Sequence, residues 1–382
     1  MNDRGIIIAL SLLLPLSSSP QIPKPNTALI GTLIVLNKSD NTAMLIDLVS
    51  GQVKATVPTG IGPHEVAVSP DGKWALVSNY GGKEPGNSLT VIDIQSGKKL
   101  KDIQLGEYHR PHGLAWLKEG SPERHGRAGS QVLVTAEAEK SLLIVNIDSG
   151  KVEIVIRTEK DVSHMVVATK DDQRAFVANI GSGSVTVIDL KKGVVVQSIT
   201  TGAGAEGIAL SADEKELWVT NRASDKVSIV DTKSLQVVDT LHSGSFPIRV
   251  KFTSDGEYAL VSNARSGNVT VFDVEKRKEV RKISFEVETV KEQDQRLFGD
   301  RFGNSPVPIG IVIPPDGPAL RDPRLGTPRR EKFAYVANSN ADVVVVVDLA
   351  EWKVTGWIKA GREPDGLGWS PVVVAGDAKE RN

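Results

Sequence analysis

Three histidines occupy the same place in three similar stretches of the chain. The stretches PHEVAV, PHGLAW and SHMVVA contain His64, His112 and His164. In the four later copies, that place is held by Glu206, Ile248, Ile309 and Asp365. Neutral imidazoles and carboxylates are ligands that zinc and copper take in proteins. If these side chains converge, they predict one divalent transition-metal ion, zinc or copper, bound by the three histidines.

Two interpretations of the histidines remain open from the sequence. In the first, they ligate the metal, and Glu206 is either the fourth ligand or a general base beside a metal-bound water. In the second, each ring bonds the backbone of a neighbouring segment or contacts a ligand directly. Spacing along the chain gives no distance between the rings, so it does not choose between these interpretations.

Arginines gather in the segments around the histidine stretches. An arginine binds a carboxylate or phosphate through two N–H groups at once, so the set predicts a small anionic ligand. Each arginine alone is typical of a surface salt bridge. The predicted ligand-binding residues are Tyr80, Arg110, Glu137, Arg222, Arg249, Arg265, Arg362 and Asp365.

The histidine stretches belong to a unit that repeats along most of the chain. Each unit has four short runs rich in Val and Ile, bounded by Gly, Asn and Ser, which predicts antiparallel strands. A four-stranded unit with a period of roughly 40–50 residues is typical of a propeller blade. The pattern predicts an all-β, seven-bladed propeller that forms a single domain over residues 27–375.

The two ends of the chain complement each other. Residues 33–58 supply three strands with no inner strand before them, and residues 364–370 supply an inner strand followed by a short tail, 376–382. We therefore expect strands from both termini to close the seventh blade, which leaves no exposed blade edge. In such a ring the histidines lie at the start of the inner strands, at one mouth of the central channel.

A residue that is present in every unit has a role common to all blades, and that role is folding. Asparagine ends most second strands, and aspartate precedes the turn after each third strand, where it accepts backbone N–H groups. Glu137 lies in the one unit that departs from the asparagine pattern. The predicted turn aspartates are Asp47, Asp93, Asp148, Asp189, Asp231, Asp273 and Asp348.

Several second strands end in a shared motif. The motif is YVAN at 335–338, FVAN at 176–179, WVTN at 218–221 and LVSN at 76–79, and SPDGK occupies 69–73. These segments resemble the YVTN repeat of YncE-like β-propellers over nearly the whole mature chain. The resemblance implies the propeller fold. Such propellers include binding proteins, surface-layer components and relatives of lactonases and electron-transfer subunits, so it implies no single chemistry.

Charge, cysteine content and the N-terminus limit the class of protein. Lys plus Arg (46) nearly balance Asp plus Glu (47), which disfavours nucleic acid as a partner. The lack of cysteine excludes disulfides and a CxxCH heme attachment. Residues 1–19 are typical of a signal peptide, with an uncleaved anchor as the alternative. We expect a periplasmic or secreted monomer with no transmembrane span in the mature chain.

Two functions fit these observations. The first is an exported propeller that binds a small anionic ligand, a cell-envelope component or a protein partner at the channel rim. The second is a metal-dependent, lactonase-like hydrolase or lyase that uses the histidines. The segment 286–308 enters the sixth inner strand from the same rim, as a lid over the channel or as a surface flap.

Overall fold

A computed structural model describes residues 30–118, 129–290, 296, 299–315 and 333–375. The predicted signal peptide 1–19 and tail 376–382 lie outside these residues, as does the segment 316–332. Within the described ranges, no helix has the length and apolar character needed to cross a membrane.

The described residues form 28 strands in seven four-stranded antiparallel sheets. The first three strands are β1 (Thr32–Asn37), β2 (Thr42–Asp47) and β3 (Gln52–Pro58). Blade 1 consists of β4 (Pro63–Val68), β5 (Trp74–Gly81), β6 (Pro85–Asp93) and β7 (Lys98–Gln104). Blade 2 consists of β8 (Pro111–Trp116), β9 (Gln131–Ala136), β10 (Ser141–Asn146) and β11 (Lys151–Arg157). Blade 3 consists of β12 (Ser163–Ala168), β13 (Arg174–Asn179), β14 (Ser184–Asp189) and β15 (Val194–Thr200).

The remaining strands continue in the same order. Blade 4 consists of β16 (Ala205–Leu210), β17 (Glu216–Asn221), β18 (Lys226–Asp231) and β19 (Gln236–His242). Blade 5 consists of β20 (Pro247–Phe252), β21 (Tyr258–Asn263), β22 (Asn268–Asp273) and β23 (Lys278–Ser284). A 3₁₀ helix, Gly299–Phe302, precedes blade 6. Blade 6 consists of β24 (Pro308–Val312), β25 (Phe333–Asn338), β26 (Val343–Asp348) and β27 (Lys353–Lys359), and the last strand is β28 (Pro364–Ser370).

Strands from both ends of the chain form blade 7. Its sheet order is β28-β1-β2-β3, and β28 pairs antiparallel with β1, so that Thr32 faces Ser370 and Val35 faces Leu367. This pairing confirms the predicted all-β fold, the seven blades and the closure by both termini. The strands run from Thr32 to Ser370, inside the predicted 27–375 domain.

The hydrophobic core lies between adjacent blades. Leu76 and Leu89 of blade 1, for example, pack in one cluster with Val134 and Leu143 of blade 2. The middle strands are buried on both faces, which is why they appear in the sequence as continuous apolar runs. The outermost strands are mainly exposed.

The repeated asparagines and most of the repeated aspartates bond within their own blades. Asn79 Nδ2 donates to Thr90 Oγ1 at 3.0 Å, as its counterparts in other blades do to theirs. Asp93 Oδ1 accepts the backbone N–H of Ser96 at 2.7 Å, the turn bond expected for this residue type.

The aspartate prediction was wrong in blade 2. The third strand of this blade, β10, ends at Asn146, whose Oδ1 accepts the N–H of Ser149 at 2.9 Å. Asn146 therefore fills the turn position, and Asp148 lies two residues beyond it. Asparagine and aspartate accept the same turn bond. The sequence alignment matched Asp148 in VNIDSGK to the repeated aspartates by residue type, although Asn146 occupies the equivalent position.

A left-handed residue precedes every inner strand. Because the conformation occurs in all seven blades, even where the residue is β-branched, it belongs to the architecture and is no sign of a site. It directs the chain from the outer edge of one blade into the channel. The residues, with φ between 54 and 75, are Gly62, Arg110, Val162, Gly204, Phe246, Val307 and Glu363.

Four inner strands have glycine at their third position. These glycines are Gly113, Gly207, Gly310 and Gly366. A Cβ on Gly207 would lie 2.1 Å from the carbonyl oxygen of Ile248, on the next inner strand. At these glycines, the backbone of the next inner strand therefore leaves no room for a side chain.

We expect Gly207→Ala to lower the free energy of unfolding by about 3 kcal/mol or more, because the clash is with backbone that seven packed blades hold in place. Gly82→Ala is the matched control, since the nearest atom to its Cβ would be Ile61 Cγ2 at 3.7 Å. It should change stability by less than about 0.5 kcal/mol. Denaturant unfolding measures both; equal stabilities for the two variants would contradict the close approach.

Candidate functional site

One mouth of the channel holds a cavity of about 250 Å³. Two rings of equivalent positions line it. The first ring is the second residue of every inner strand: His64, His112, His164, Glu206, Ile248, Ile309 and Asp365. The second ring consists of residues that directly follow a second-strand motif: Lys38, Tyr80, Glu137, Ile180 and Arg222.

The three histidines form a stack along blades 1 to 3. The ring centroids of His112 and His164 are 3.6 Å apart, and those of His64 and His112 are 5.3 Å apart. Tyr80 lies 4.4 Å from the His64 ring, by centroids. Consecutive inner strands bring these rings together because the repeats place equivalent residues at the same height in the channel.

Glu137 connects two of the aromatic side chains. Its Oε2 accepts the hydroxyl hydrogen of Tyr80 at 2.7 Å, and its Oε1 lies 2.5 Å from His164 Nδ1. The other nitrogen of His164, Nε2, lies 3.5 Å from Glu206 Oε1. The imidazole of His164 is thus held between two carboxylates.

His112, Glu137 and His164 form a cluster able to hold a metal ion. One ligand atom from each lies within 4.8 Å of the others, and all three residues are buried. Across the part of the chain that the structure describes, His112 Nδ1 is a buried nitrogen with no hydrogen-bond partner, and His164 Nε2 has only the 3.5 Å contact with Glu206 Oε1. A bound ion or water at this place would satisfy such an atom.

His64 has a different environment from the other two histidines. Its Nδ1 lies 2.8 Å from the carbonyl oxygen of Gly62, to which it donates in the neutral tautomer. His64 is therefore placed beside the cluster of His112, Glu137 and His164, although it was predicted together with His112 and His164 as a ligand.

The pKa values of the three histidines shift in different directions. Burial lowers the pKa of His64 to about 4, and Lys38 adds to the effect. Burial and the neighbouring histidines hold the pKa of His112 well below its usual value. Burial also acts to lower the pKa of His164, but the carboxylates of Glu137 and Glu206 outweigh it and raise the pKa.

Glu206 is stabilised as a carboxylate. Burial opposes its ionisation, but His164 and Arg222 outweigh the burial, and the pKa of Glu206 is lowered to about 2. Arg222 Nη1 donates to Glu206 Oε2 at 2.9 Å. A carboxylate held this firmly in its charged form is a weak proton acceptor at neutral pH.

The predicted arginines do not converge on one point. Arg222 and Arg249 line the cavity, and both lie beside carboxylates, with Arg249 bonded to Glu65. Arg110 donates to the carbonyl oxygen of Gly82 and stacks over Tyr80. Arg265 stacks over two phenylalanines, and Arg362 pairs with Asp40 at 2.6 Å. These three lie outside the cavity wall.

Sequence reasoning missed Lys38 and identified its partner, Asp365. Lys38 Nζ donates to Asp365 Oδ2 at 2.9 Å, and both side chains are buried. Lys38 directly follows Asn37, as Tyr80 follows Asn79 and Arg222 follows Asn221, so the repeat alignment contained the signal. Arg301 and Phe302, from the described part of the segment 286–308 that was predicted as a lid or a surface flap, also line the cavity.

An ion pair divides the channel below this cavity. Glu65 and Arg249 occupy the third position of their inner strands, where four other blades have glycine. Arg249 Nε lies 3.2 Å from Glu65 Oε1 and contributes to the walls of two cavities, one on each side of the pair. The glycines leave the space that this pair occupies.

Comparison with known proteins identifies relatives of the fold. A family model for the cytochrome D1 heme domain matches residues 123–292. No curated protein matches the chain in sequence. Hydrazine synthase from Kuenenia stuttgartiensis is similar in structure, with a TM-score of 0.62 and 19% identity over 80% of this chain and 88% of that one. A protein of unknown function from Desulfotomaculum acetoxidans has a TM-score of 0.68 and 11% identity over 89% of this chain and 99% of that one.

Proposed function

We propose that the protein binds one divalent transition-metal ion, zinc or copper, at the channel mouth and presents it to a small anionic ligand. The observation that carries the proposal is the cluster of His112, Glu137 and His164, whose ligand atoms lie within 4.8 Å of one another and in which the buried His112 Nδ1 has no hydrogen-bond partner among the described residues. Three protein ligands leave a further coordination position free for a ligand or water.

The donor set suits such an ion. His112 stays neutral at physiological pH because burial lowers its pKa, and a neutral imidazole is the form that binds metal. Ligand atoms in a tetrahedral zinc site lie roughly 3.4 Å apart, given bonds of about 2.1 Å. The ligand atoms of the cluster all lie within 4.8 Å of one another, so small side-chain adjustments bring them to this spacing.

A protonated His164 is the alternative to a bound metal ion. A proton on this imidazole, between Glu137 and Glu206, also satisfies the charges of the site, and it corresponds to the polar-packing interpretation of the histidines. Metal binding must displace this proton. The two interpretations therefore differ in metal content and not in fold.

Binding is better supported than hydrolysis. The metal-dependent hydrolase or lyase needs a general base, and Glu206 was predicted for that role. Its lowered pKa and its bond to Arg222 make it a poor base, and they suit it to balancing charge beside the cluster. Arg301 in the cavity wall, together with the charge of the ion itself, favours an anion as the ligand.

A heme does not fit this cavity. The similarity to the cytochrome D1 heme domain suggests heme as a cofactor, but the matched residues 123–292 do not include His64 and His112. A volume of about 250 Å³ also lies below the roughly 300–1,000 Å³ of pockets that hold drug-sized ligands, and a tetrapyrrole is no smaller. The donor set fits a single ion with a ligand of few atoms.

We further propose that the protein acts outside the cytoplasm and belongs with the YncE-like propellers. The signal-peptide pattern of residues 1–19 supports export, and the YVTN-like motifs support the family.

Metal analysis of the purified protein tests the proposed site. After equilibration with zinc, copper or manganese and dialysis, wild type should retain close to one equivalent of zinc or copper. His112→Ala should bind at least about 100-fold more weakly, because it removes one of three ligands. His242→Ala, at an exposed position on β19, should bind as wild type does.

The same measurement separates the cluster from the histidine trio predicted from sequence. His64→Ala should weaken metal binding by less than about tenfold if His64 only packs beside the ligands. Wild type without metal after loading would contradict the proposed function, and loss in His64→Ala equal to that in His112→Ala would contradict the choice of ligands.

A further inference from the structure

A second cavity lies in the channel on the far side of the Glu65–Arg249 pair. Its volume is about 260 Å³. Its walls come from the later residues of the inner strands and from first-hairpin turns, among them Lys118 and Lys170. It therefore faces the channel mouth opposite the histidine cluster, and among the described residues the two cavities share only Arg249.

Much of this cavity wall is apolar. The side chains that line it include Leu114, Trp116, Ile208, Ile311 and Leu367. Trp116 is fixed in place because its Nε1 donates to the carbonyl oxygen of Ala67 at 3.1 Å. A short hydrocarbon group would thus find a preformed surface that excludes water.

Positive charge exceeds negative charge in the same wall. Among the described residues of this wall, four are cationic and two are carboxylates: Lys118, Lys170, Arg249 and Lys251 against Glu65 and Asp172. Arg249 is bonded to Glu65, and Lys170 Nζ donates to the carbonyl oxygen of Ala212 at 2.5 Å. These bonds leave a surplus of cationic charge at this mouth.

Lys251 is the residue that stands out. Within the described ranges its ammonium group makes no hydrogen bond and no ion pair, and the side chain keeps solvent access inside the cavity. A ligand carboxylate that enters the cavity would meet an ammonium group with no competing partner among the described residues.

The repeats show that folding does not require Lys251. The equivalent residue of every other inner strand is small or aliphatic: Ala67, Ala115, Val167, Ala209, Val312 and Gly368. Six blades thus form with an apolar residue here. A charge placed in one blade only, inside the channel, is a feature of a site and not of the scaffold.

We propose that this second cavity binds a small organic anion, a monocarboxylate with a short hydrocarbon chain. The carboxylate pairs with Lys251, and the chain packs against Trp116 and Leu114. At the histidine mouth the predicted arginines have local partners, whereas here a cation stands without one. The site is separate from the proposed metal centre and does not depend on it.

Titration calorimetry of the full-length mature protein with hexanoate tests the second site. We expect one equivalent to bind to wild type and Lys251→Met to bind at least about tenfold more weakly, because the charge pair is lost. Lys98→Met is the matched control, at an exposed position on the outer strand β7, and should bind as wild type does. Hexan-1-ol should bind more weakly than hexanoate to wild type.

Further measurements keep the proposal open to refutation. Lys251→Arg should restore binding, and thermal unfolding of Lys251→Met should match wild type, since six blades carry an apolar residue there. His164→Ala should leave hexanoate affinity unchanged, so failure of the metal site and failure of this site are distinguishable. The proposal is overturned if wild type binds no hexanoate up to about 10 mM, if Lys251→Met binds it equally, or if hexan-1-ol binds as tightly.

Discussion

A chain that ends at Glu363, without β28, is expected to lose its cooperative unfolding transition or to unfold at least about 10 °C below wild type. The truncation removes the strand that pairs with β1 along Thr32–Asn37, together with Leu367 and Trp369, which pack against the core of blade 7. Two apolar side chains and a row of ladder hydrogen bonds contribute on the order of 5 kcal/mol, comparable to the whole stability of many domains.

The matched control ends the chain at Ala375, which keeps β28 and removes only the predicted tail 376–382. Calorimetry or circular dichroism should give this chain the midpoint of wild type. If the chain that ends at Glu363 melts at the same temperature as the chain that ends at Ala375, closure by the terminal strand does not hold the ring together, and the convergence of the site residues loses its support.

Arg249→Met is expected to lower the free energy of unfolding by about 3–5 kcal/mol, because it leaves the carboxylate of Glu65 in the channel without its partner. The side chains of Glu65 and Arg249 are only 14% and 7% exposed. Arg249 Nη1 also lies 3.6 Å from Glu206 Oε1, so the arginine balances a second carboxylate. Chemical denaturation of the variant measures the loss.

The double variant Glu65→Met/Arg249→Met supplies the control for this prediction. It should unfold within about 1 kcal/mol of wild type, because replacing both members of a buried pair removes the desolvation of two charges as well as their attraction. Glu206 keeps Arg222 at 2.9 Å in that background. A double variant as unstable as Arg249→Met would mean that the pair is not the source of the effect.

The site is built from exceptions to the repeat. The second position of the inner strand carries imidazole in three blades, a carboxylate in two and isoleucine in two, while the backbone around it is the same in all seven. Since blades fold with any of these residues, stability does not dictate which is present. By the same reasoning, Lys251 is assigned to a site because its counterparts in the other blades are apolar. The turn aspartates are assigned to the scaffold because they recur in most blades.

Much of this architecture can be predicted from the sequence. The alternation and turn residues of each unit predict strands, the period predicts blades, and the incomplete units at the two ends predict closure, all of which depend on local patterns repeated along the chain. Repetition also predicts height in the channel, because equivalent residues of equivalent strands lie at one level. That is why the histidines and Asp365 were predicted at one mouth, where they line a single cavity.

Distances across the channel were decided only by the tertiary structure. They depend on rotamers and on partners from other blades, which no local pattern encodes: Glu137 approaches His164, His64 turns to Gly62, and most predicted arginines meet carboxylates or carbonyl oxygens of their own surroundings. The Glu65–Arg249 pair joins residues from blades 1 and 5, and it divides the channel into two cavities. Sequence repeats therefore determined which residues share a level, and packing around the ring determined which of them meet.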